Sequence, residues 1–320
     1  ANIVDSKGIE GWFDLHKEDL KGYDLDGYRK VTDTIDVWFD SGSTHETTKS
    51  LLDHQKPYDL YLEGSDQHRG WFQSSLIINS AIEKRAPFNQ ILTHGFVVDA
   101  DGKKMSKSVG NVVSPQQVTN KLGADVLRLW VASTDYSAEL NISDEILKRV
   151  TDTYRRIRNT IRFLISNLED FDENSFKSSN FTDFSEIDLY MINYNKIFEK
   201  KVRSLYQAYE FHTLVNYIKT YCSEQLGSFY LDIVKDRLYT EKSDSKIRKS
   251  CQVALNEILQ SLLYSLTPIL SFTVNEAWTC FKKNDEYGEI FLKEWADTNI
   301  KVDNEIIYKW DKILEIREKV

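Results

Sequence analysis

Proline is nearly missing from this chain, with four in 320 residues, and several other scarcities set bounds as firmly. No run approaches the roughly 18 consecutive apolar residues that a membrane helix needs, so no span is expected. The opening Ala1-Asn-Ile-Val-Asp-Ser-Lys-Gly8 lacks the basic-then-apolar order of a secretory leader. The three cysteines, Cys222, Cys251 and Cys280, are odd in number and far apart. They form no C-x-x-C pair, which excludes a zinc knuckle or a disulfide framework; burial as small apolar side chains in a cytoplasmic protein is the expectation. No G-x-x-x-x-G-K-[ST] stretch exists, which removes the P-loop ATPases, and the glycines at 64 and 70 make no G-x-G-x-x-G fingerprint. No Ser-His-Asp arrangement is legible, and the six histidines have no metal-ligand spacing. An excess of positive charge is missing too. A net charge of −9 argues against indiscriminate nucleic-acid binding, although it leaves room for a local basic stripe.

What is present is unevenly distributed. Eleven of the thirteen glycines fall at or before Gly123, as do Pro57, Pro87 and Pro115. Such residues punctuate short strands and turns, whereas their absence permits long helices. The expected fold is therefore α/β first and all-α afterwards. Residues 1–35 read as short strands and turns, broken at Gly8, Gly11, Gly22 and Gly27. Residues 34–43 read as a buried strand ending in a turn, 59–63 as a second strand and 90–98 as a third. Between the last two, 67–84 reads as a helix, with Ser65 or Asp66 as its N-cap. That spacing suggests a parallel βαβ unit, whose ligand belongs at the carboxyl ends of the strands, where Asp40, Glu63 and residues 104–108 lie.

Beyond this, 115–134 reads as one helix with Val118, Leu122, Val126, Leu127 and Trp130 inward. A longer helix starts at Ser143, with Ile146, Leu147, Val150, Tyr154, Ile157, Ile161 and Leu164 at three- and four-residue steps. Residues 171–185 read as a connecting loop, and 186–222, 225–240, 246–266, 268–283 and about 303–319 as helices.

Several groups could do chemistry. Lys104 and Lys107 sit three apart in the small-residue stretch Lys104-Met105-Ser106-Lys107-Ser108. A mobile loop of this kind can bring cationic tips onto a polyphosphate; its plainer reading is a solvated basic turn. Glu63 and Asp66, at a strand end and helix start, can hold ribose hydroxyls or an ammonium, or serve as a cap and a solvated acid. His68 and Arg69 could cap a helix or meet a phosphate, and nothing local decides. Trp38 and Trp71 could wall an apolar pocket sized for a branched side chain, or be core. Lys148, Arg155, Arg158 and Arg162 fall on one helix face, flanked by Arg149 and Arg156, with only Asp152 as an acid between 151 and 167. That face suits an RNA backbone, or is simply solvated.

Five runs carry a family likeness: 36–45 (Asp-Val-Trp-Phe-Asp-Ser-Gly-Ser-Thr-His), 61–72 (Tyr-Leu-Glu-Gly-Ser-Asp-Gln-His-Arg-Gly-Trp-Phe), 92–96 (Leu-Thr-His-Gly-Phe), 104–111 (Lys-Met-Ser-Lys-Ser-Val-Gly-Asn) and 122–135 (Leu-Gly-Ala-Asp-Val-Leu-Arg-Leu-Trp-Val-Ala-Ser-Thr-Asp), the last continuing into 143–149. Together they resemble the class I aminoacyl-tRNA synthetases, in their bacterial isoleucyl form, over essentially the whole chain. The lysine loop alone marks class I. The run at 63–71 points to the isoleucyl branch, since a valyl-type enzyme is expected to carry a Phe-Trp-rich segment there.

The resemblance implies ATP-dependent activation of L-isoleucine to isoleucyl-adenylate and transfer to tRNA(Ile), with Mg²⁺ sharing the phosphate charge. It implies Lys104 and Lys107 as catalytic groups and Met105, Ser106 and Lys107 at ATP. It places Glu63, Gly64, Asp66, Gln67, Trp38 and Trp71 around the adenylate and amino acid, and gives Lys148, Arg155, Arg158 and Arg162 to tRNA. It implies the second half of a Rossmann-type parallel sheet followed by a helical bundle: 1–35 returning from an editing domain, 36–142 the half-sheet with the lysine loop, and 143–320 the anticodon-binding helices. Three departures stand out. The His-x-Gly-His signature, an editing domain and the cysteine-ligated zinc element do not occur in these 320 residues, so zinc is not expected here. The expectation is a monomeric fragment, inactive on its own. Two alternatives remain: a tRNA-binding helical module, and a valyl-type synthetase.

Overall fold

The structure, a computed structural model, describes residues 2–52, 57–172, 182–282, 288–295, 302–317 and 319. The chain divides into two units, Ala1–Thr93 and His94–Val320.

The first unit begins with helices α1 (Asn2–Lys7) and α2 (Glu10–Phe13) and a 3₁₀ turn at Lys17–Asp19. These stand where strands were expected. The chain turns at Gly8, Gly22 and Gly27, all at positive φ, and residues 28–36 run on without pairing as a strand. The segment after residue 35 is a second correction: it is helix α3 (Val37–Gly42), not a buried strand. The Asp36 carboxylate accepts the Trp38 amide at 2.8 Å and starts the helix locally, satisfying a donor that a strand would have to pair across a sheet. Val37, Trp38 and Phe39 are exposed rather than core. Asp40 is accordingly in a helix, not at a strand end.

Helix α4 (Thr44–Leu52) follows, then strand β1 (Tyr58–Gly64). A 3₁₀ turn at Ser65–Arg69 precedes helix α5 (Trp71–Glu83), and strand β2 (Phe88–His94) lies beside β1. Two neighbouring strands joined through a 13-residue helix have the crossover of a parallel βαβ unit. The helix does not start at Gln67, and neither Ser65 nor Asp66 caps it. The 3₁₀ turn intervenes, and the Gln67 side-chain oxygen accepts the Trp71 amide at 3.1 Å. Tyr61 and Phe72 are buried, with the Tyr61 ring stacked on Trp71 at 4.2 Å.

The second unit opens with a strand shorter than expected. The third strand breaks at Gly95 into the end of β2 and β3 (Val97–Val98). A Cβ at Gly95 would stand 2.0 Å from the Ala138 carbonyl oxygen, a backbone approach that only glycine tolerates. There β3 pairs in parallel with β4 (Leu140–Asn141). The single helix expected over 115–134 is two, α6 (Pro115–Leu122) and α7 (Ala124–Ser133). Gly123, at φ +91°, breaks them apart. Val118, Val126 and Trp130 are buried as expected, but Leu122 and Leu127 are only half-buried, and Leu129, not expected inward, is buried.

Helix α8 (Asp144–Asn167) starts as expected, with Ser143 Oγ accepting the Ile146 amide at 3.2 Å. The connecting loop expected over 171–185 falls partly on 173–181, outside the described residues. Helix α9 (Glu186–Gln207) ends in a Schellman motif, the Glu210 amide on Leu205 O at 2.9 Å and Tyr209 on Tyr206 O at 3.1 Å. That motif breaks the helix expected to run to residue 222. Conversely, no break occurs near 223: α10 (Phe211–Thr220), a π-helical stretch (Tyr221–Tyr230) and α11 (Leu231–Thr240) run on continuously. An α-helix at ~100° per residue would put residues nine apart on opposite sides. The wider π turn lets both Tyr221 and Tyr230 face α9, donating to Asn195 Oδ1 at 2.9 Å and Asp188 Oδ1 at 2.8 Å.

Helices α12 (Lys246–Leu266), α13 (Ser271–Lys282) and α14 (Asn304–Arg317) complete the bundle. The Asp125 carboxylate on α7 accepts the amides of Phe272 (3.3 Å) and Thr273 (2.7 Å), capping α13 from across the unit. Arg128 reaches the carbonyls of Ile269 and Pro268 beside it. Cys222 and Cys251 are buried, but Cys280 is exposed, contrary to expectation. Among the described residues no helix is long and apolar enough to cross a membrane.

Candidate functional site

The lysine loop hangs from β3 in the second unit. An isolated antiparallel bridge joins Val98 to Lys104, and the intervening turn is closed by Asp99 N–H on Lys103 O at 3.0 Å. Ser106 to Gly110 forms one further turn: the Gly110 amide meets Ser106 O at 3.1 Å, the Val109 amide meets Ser106 Oγ at 3.3 Å, and the Ser106 and Ser108 hydroxyls bond at 3.1 Å. Met105 is half-buried and packs against the core of this unit, which anchors the loop between its two lysines. Lys104 and Lys107 are both exposed. The Lys104 ammonium lies 4.8 Å from the centre of the Phe96 ring, a cation–π contact that steers it. The loop expected to be mobile is thus laced together by its own hydrogen bonds.

Sequence reasoning passed over two of the residues that lace it, Asp99 and Asn111. Hydrogen bonds to Asn111 and then to the Lys103 amide hold the Asp99 carboxyl below its usual range. The signal was available: an Asp three residues before Gly102, in Asp-Ala-Asp-Gly, is a turn former whose oxygen caps amides two and four residues on.

The second cluster lies at the end of β1, within the first unit. Here Trp38, Asp66, Gln67, Gly70 and Trp71 come together. Gln67 donates to Asp66 Oδ2 at 3.0 Å while accepting from the Trp71 amide. The Trp71 indole N–H donates to Ser41 O at 2.9 Å, fixing that ring between α3 and the Tyr61 ring. Trp38 lies over Gly70, where a Cβ would come within 2.7 Å of its ring. Glu63 is exposed on the strand and Gly64 is buried at its end. His68 is exposed with its ring edge on Phe72, and Arg69 is exposed. The arrangement offers two indole edges beside a carboxylate and a carboxamide, the mixture that an amphipathic small molecule with an ammonium group requires.

On α8, Lys148, Arg155 and Arg162 are exposed and Arg158 is half-buried, on the side away from buried Leu147, Val150, Ile157, Ile161 and Leu164. Arg155 pairs with Asp152 at 3.7 Å, both side chains well exposed. Such a pair is weak and yields readily to a phosphate. Among the described residues, no group of three or more His, Cys, Asp or Glu is placed to hold a metal ion.

Comparison with known proteins bears on what these parts belong to. Residues 1–143 match the family model for tRNA synthetases class I (I, L, M and V), and residues 188–320 that for the anticodon-binding domain of tRNA ligases. The chain is 50% identical to the isoleucine–tRNA ligase of Nitrosomonas europaea, covering 100% of this chain and 34% of that protein. It is 52% identical to that of Neisseria meningitidis serogroup C, covering 99% and 35%. The chain belongs to the class I tRNA synthetases. It spans about a third of the length of the curated relatives it matches. The fold agrees. A leucyl-tRNA synthetase complex from Agrobacterium radiobacter K84 superposes with a TM-score of 0.64 at 19% identity, over 87% of this chain and 34% of that one. A Mycobacterium tuberculosis methionyl-tRNA synthetase gives 0.61 at 21%, over 76% and 49%. The relatives at about half identity carry the isoleucine name rather than the valyl one entertained above.

Proposed function

We propose that this chain forms the part of a cytoplasmic, monomeric isoleucine–tRNA ligase that neutralises ATP phosphates, seats the amino acid and grips tRNA(Ile). In the first step an isoleucine carboxylate oxygen attacks the α-phosphorus of ATP. The bond to the bridging oxygen breaks, and pyrophosphate leaves with the electron pair. Negative charge builds on the phosphate oxygens, so exposed Lys107, helped by Lys104, stabilises the transition state more than the ground state. Met105 and Ser106 fix the loop that carries both lysines and belong with Lys107 to the ATP-binding group. Mg²⁺ carried on the ATP phosphates would supply further positive charge there. Glu63, Gly64, Asp66 and Gln67 hold the adenylate and the ammonium, and Trp38 and Trp71 flank the branched side chain. In the second step the tRNA 3′-terminal hydroxyl attacks the acyl carbon and AMP leaves, with Lys148, Arg155, Arg158 and Arg162 on the RNA backbone. The 1–35, 36–142 and 143–320 divisions correspond to the return segment, half-sheet and anticodon-binding helices.

The loop carries this reading: two exposed lysines on a backbone closed by its own hydrogen bonds. It is tested in the full-length protein that contains this chain. Lys107→Ala should lower isoleucine-dependent ATP–pyrophosphate exchange by about 10²–10³-fold, the usual cost of one transition-state charge donor. Undiminished exchange, or exchange driven by valine in preference to isoleucine, would overturn it.

A further inference from the structure

Two side chains with no part in that scheme hold the base of the lysine loop. Asp99 Oδ1 accepts the amides of Asp101 at 3.0 Å and Lys103 at 2.8 Å, and its Oδ2 accepts Asn111 Nδ2 at 2.7 Å. The same Asn111 nitrogen also donates to Lys104 O at 3.3 Å, while Asn111 Oδ1 accepts the Ser106 amide at 2.9 Å. One carboxamide therefore grips the main chain on both sides of Met105. A carboxylate twelve residues earlier orients that carboxamide. Asn111 is half-buried, whereas the lysine tips are exposed. The lysines are thus free to meet a ligand while the backbone beneath them is not free to drift.

We propose that Asp99 and Asn111 are positioning residues, a clasp that presets the loop backbone so that Lys104 and Lys107 meet the polyphosphate without first ordering the loop. This rests on the assignment of the loop to ATP made above. Disordered, the loop would have to be ordered at the moment of reaction, and the lost entropy would appear in the turnover step rather than in amino-acid binding. Neither residue needs to touch the substrate. Their effect passes through the Lys104 carbonyl and the Ser106 amide.

The pair can be tested by exchange of partners. Asp99→Asn sets an amide against the Asn111 amide, and Asn111→Asp sets a carboxylate against the Asp99 carboxylate; the double variant restores one donor facing one acceptor between the two positions, but not the donation to Lys104 O. In the full-length protein, hydrogen exchange in peptides spanning 99–111 should quicken about tenfold in each single variant and return part of the way to wild type in the double, which regains the 99–111 bond without the one to Lys104 O. Turnover in isoleucine-dependent ATP–pyrophosphate exchange should fall by about 10–100-fold in the singles, with KM for isoleucine unchanged, and recover in part in the double. Unchanged hydrogen exchange in the singles, no recovery in the double, or a loss confined to KM would each overturn the clasp. Lys107→Ala, run alongside, separates the two claims. If it leaves turnover intact the ATP assignment fails, while the hydrogen-exchange cycle still decides whether the clasp exists.

Discussion

A tryptophan resting on a glycine leaves little room for change. The Trp38 ring lies so close to Gly70 that a methyl group there would meet two of its carbons at 2.7 and 2.8 Å. Trp38 is 48% exposed, so the ring has somewhere to go and the protein need not unfold. Gly70→Ala should therefore cost only about 1 kcal/mol of stability. It should raise KM for isoleucine about tenfold in the full-length protein, and a KM at the wild-type value would remove Trp38 from the amino-acid site. The two indoles were legible in the sequence as a pair, but their seat was not. Trp38 was expected on a strand, and it reaches Gly70 from a helix started by Asp36. A period-two alternation of apolar residues could not reveal a cap formed by one side chain.

The Asp170–Arg248 fork also acts at this scale, at 2.6 and 3.0 Å, with Gln252 adding a bond at 2.8 Å. The Arg248 guanidinium, then Gln252, hold the Asp170 carboxyl below its usual range. A depressed folded value means the contribution is present above the ordinary aspartate value of about 3.9 and fades as pH falls through the folded one. Asp170→Asn should lower stability by roughly 1 kcal/mol at pH 7, since the carboxylate is partly solvated, and by less near pH 2. Equal losses at both pH values, read from denaturant midpoints, would refute the ionic origin.

At the scale of elements, long amphipathic helices were the legible part. Helix α8 repeats its apolar residues for about five turns behind a Ser cap, and it starts and buries as its pattern dictates. Its outward face carries the next expectation. Replacing Lys148, Arg155 and Arg162 together by Ala should weaken tRNA binding about tenfold or more and flatten the salt slope by about two. An unchanged slope would show that the face is merely solvated. Boundaries were less legible where a single residue decides them. Gly123 divides α6 from α7, and the Schellman end at Tyr209 stops α9 where helix propensity alone would run on. The reverse error came after Cys222, where the π winding continues a helix that was expected to end there.

On the scale of the whole chain, the glycine-rich first part and glycine-poor second part foretold an α/β portion followed by helices, and the ends of the motifs placed the lysine loop correctly after a strand. What composition could not foretell was how unequally the core is shared. Nearly all the buried apolar residues lie from Val118 onward, while the first unit buries little beyond Tyr61 and Phe72. The loop and the bundle fall in one unit, with α7 linked to α13.

That link sets an order of events in folding. Asp125 cannot cap α13 until the chain has closed a loop of 148 residues, an entropic toll of about 4 kcal/mol before any contact repays it. On a ribosome the cap must wait until Thr273 has emerged, long after α7 and α8 can form by themselves. The contact therefore belongs after the folding barrier. Asp125→Ala should speed unfolding about tenfold or more while leaving the refolding rate nearly unchanged in stopped-flow measurements. The bond acts as a latch: it does not help the molecule find its fold, but it decides how long the molecule keeps it.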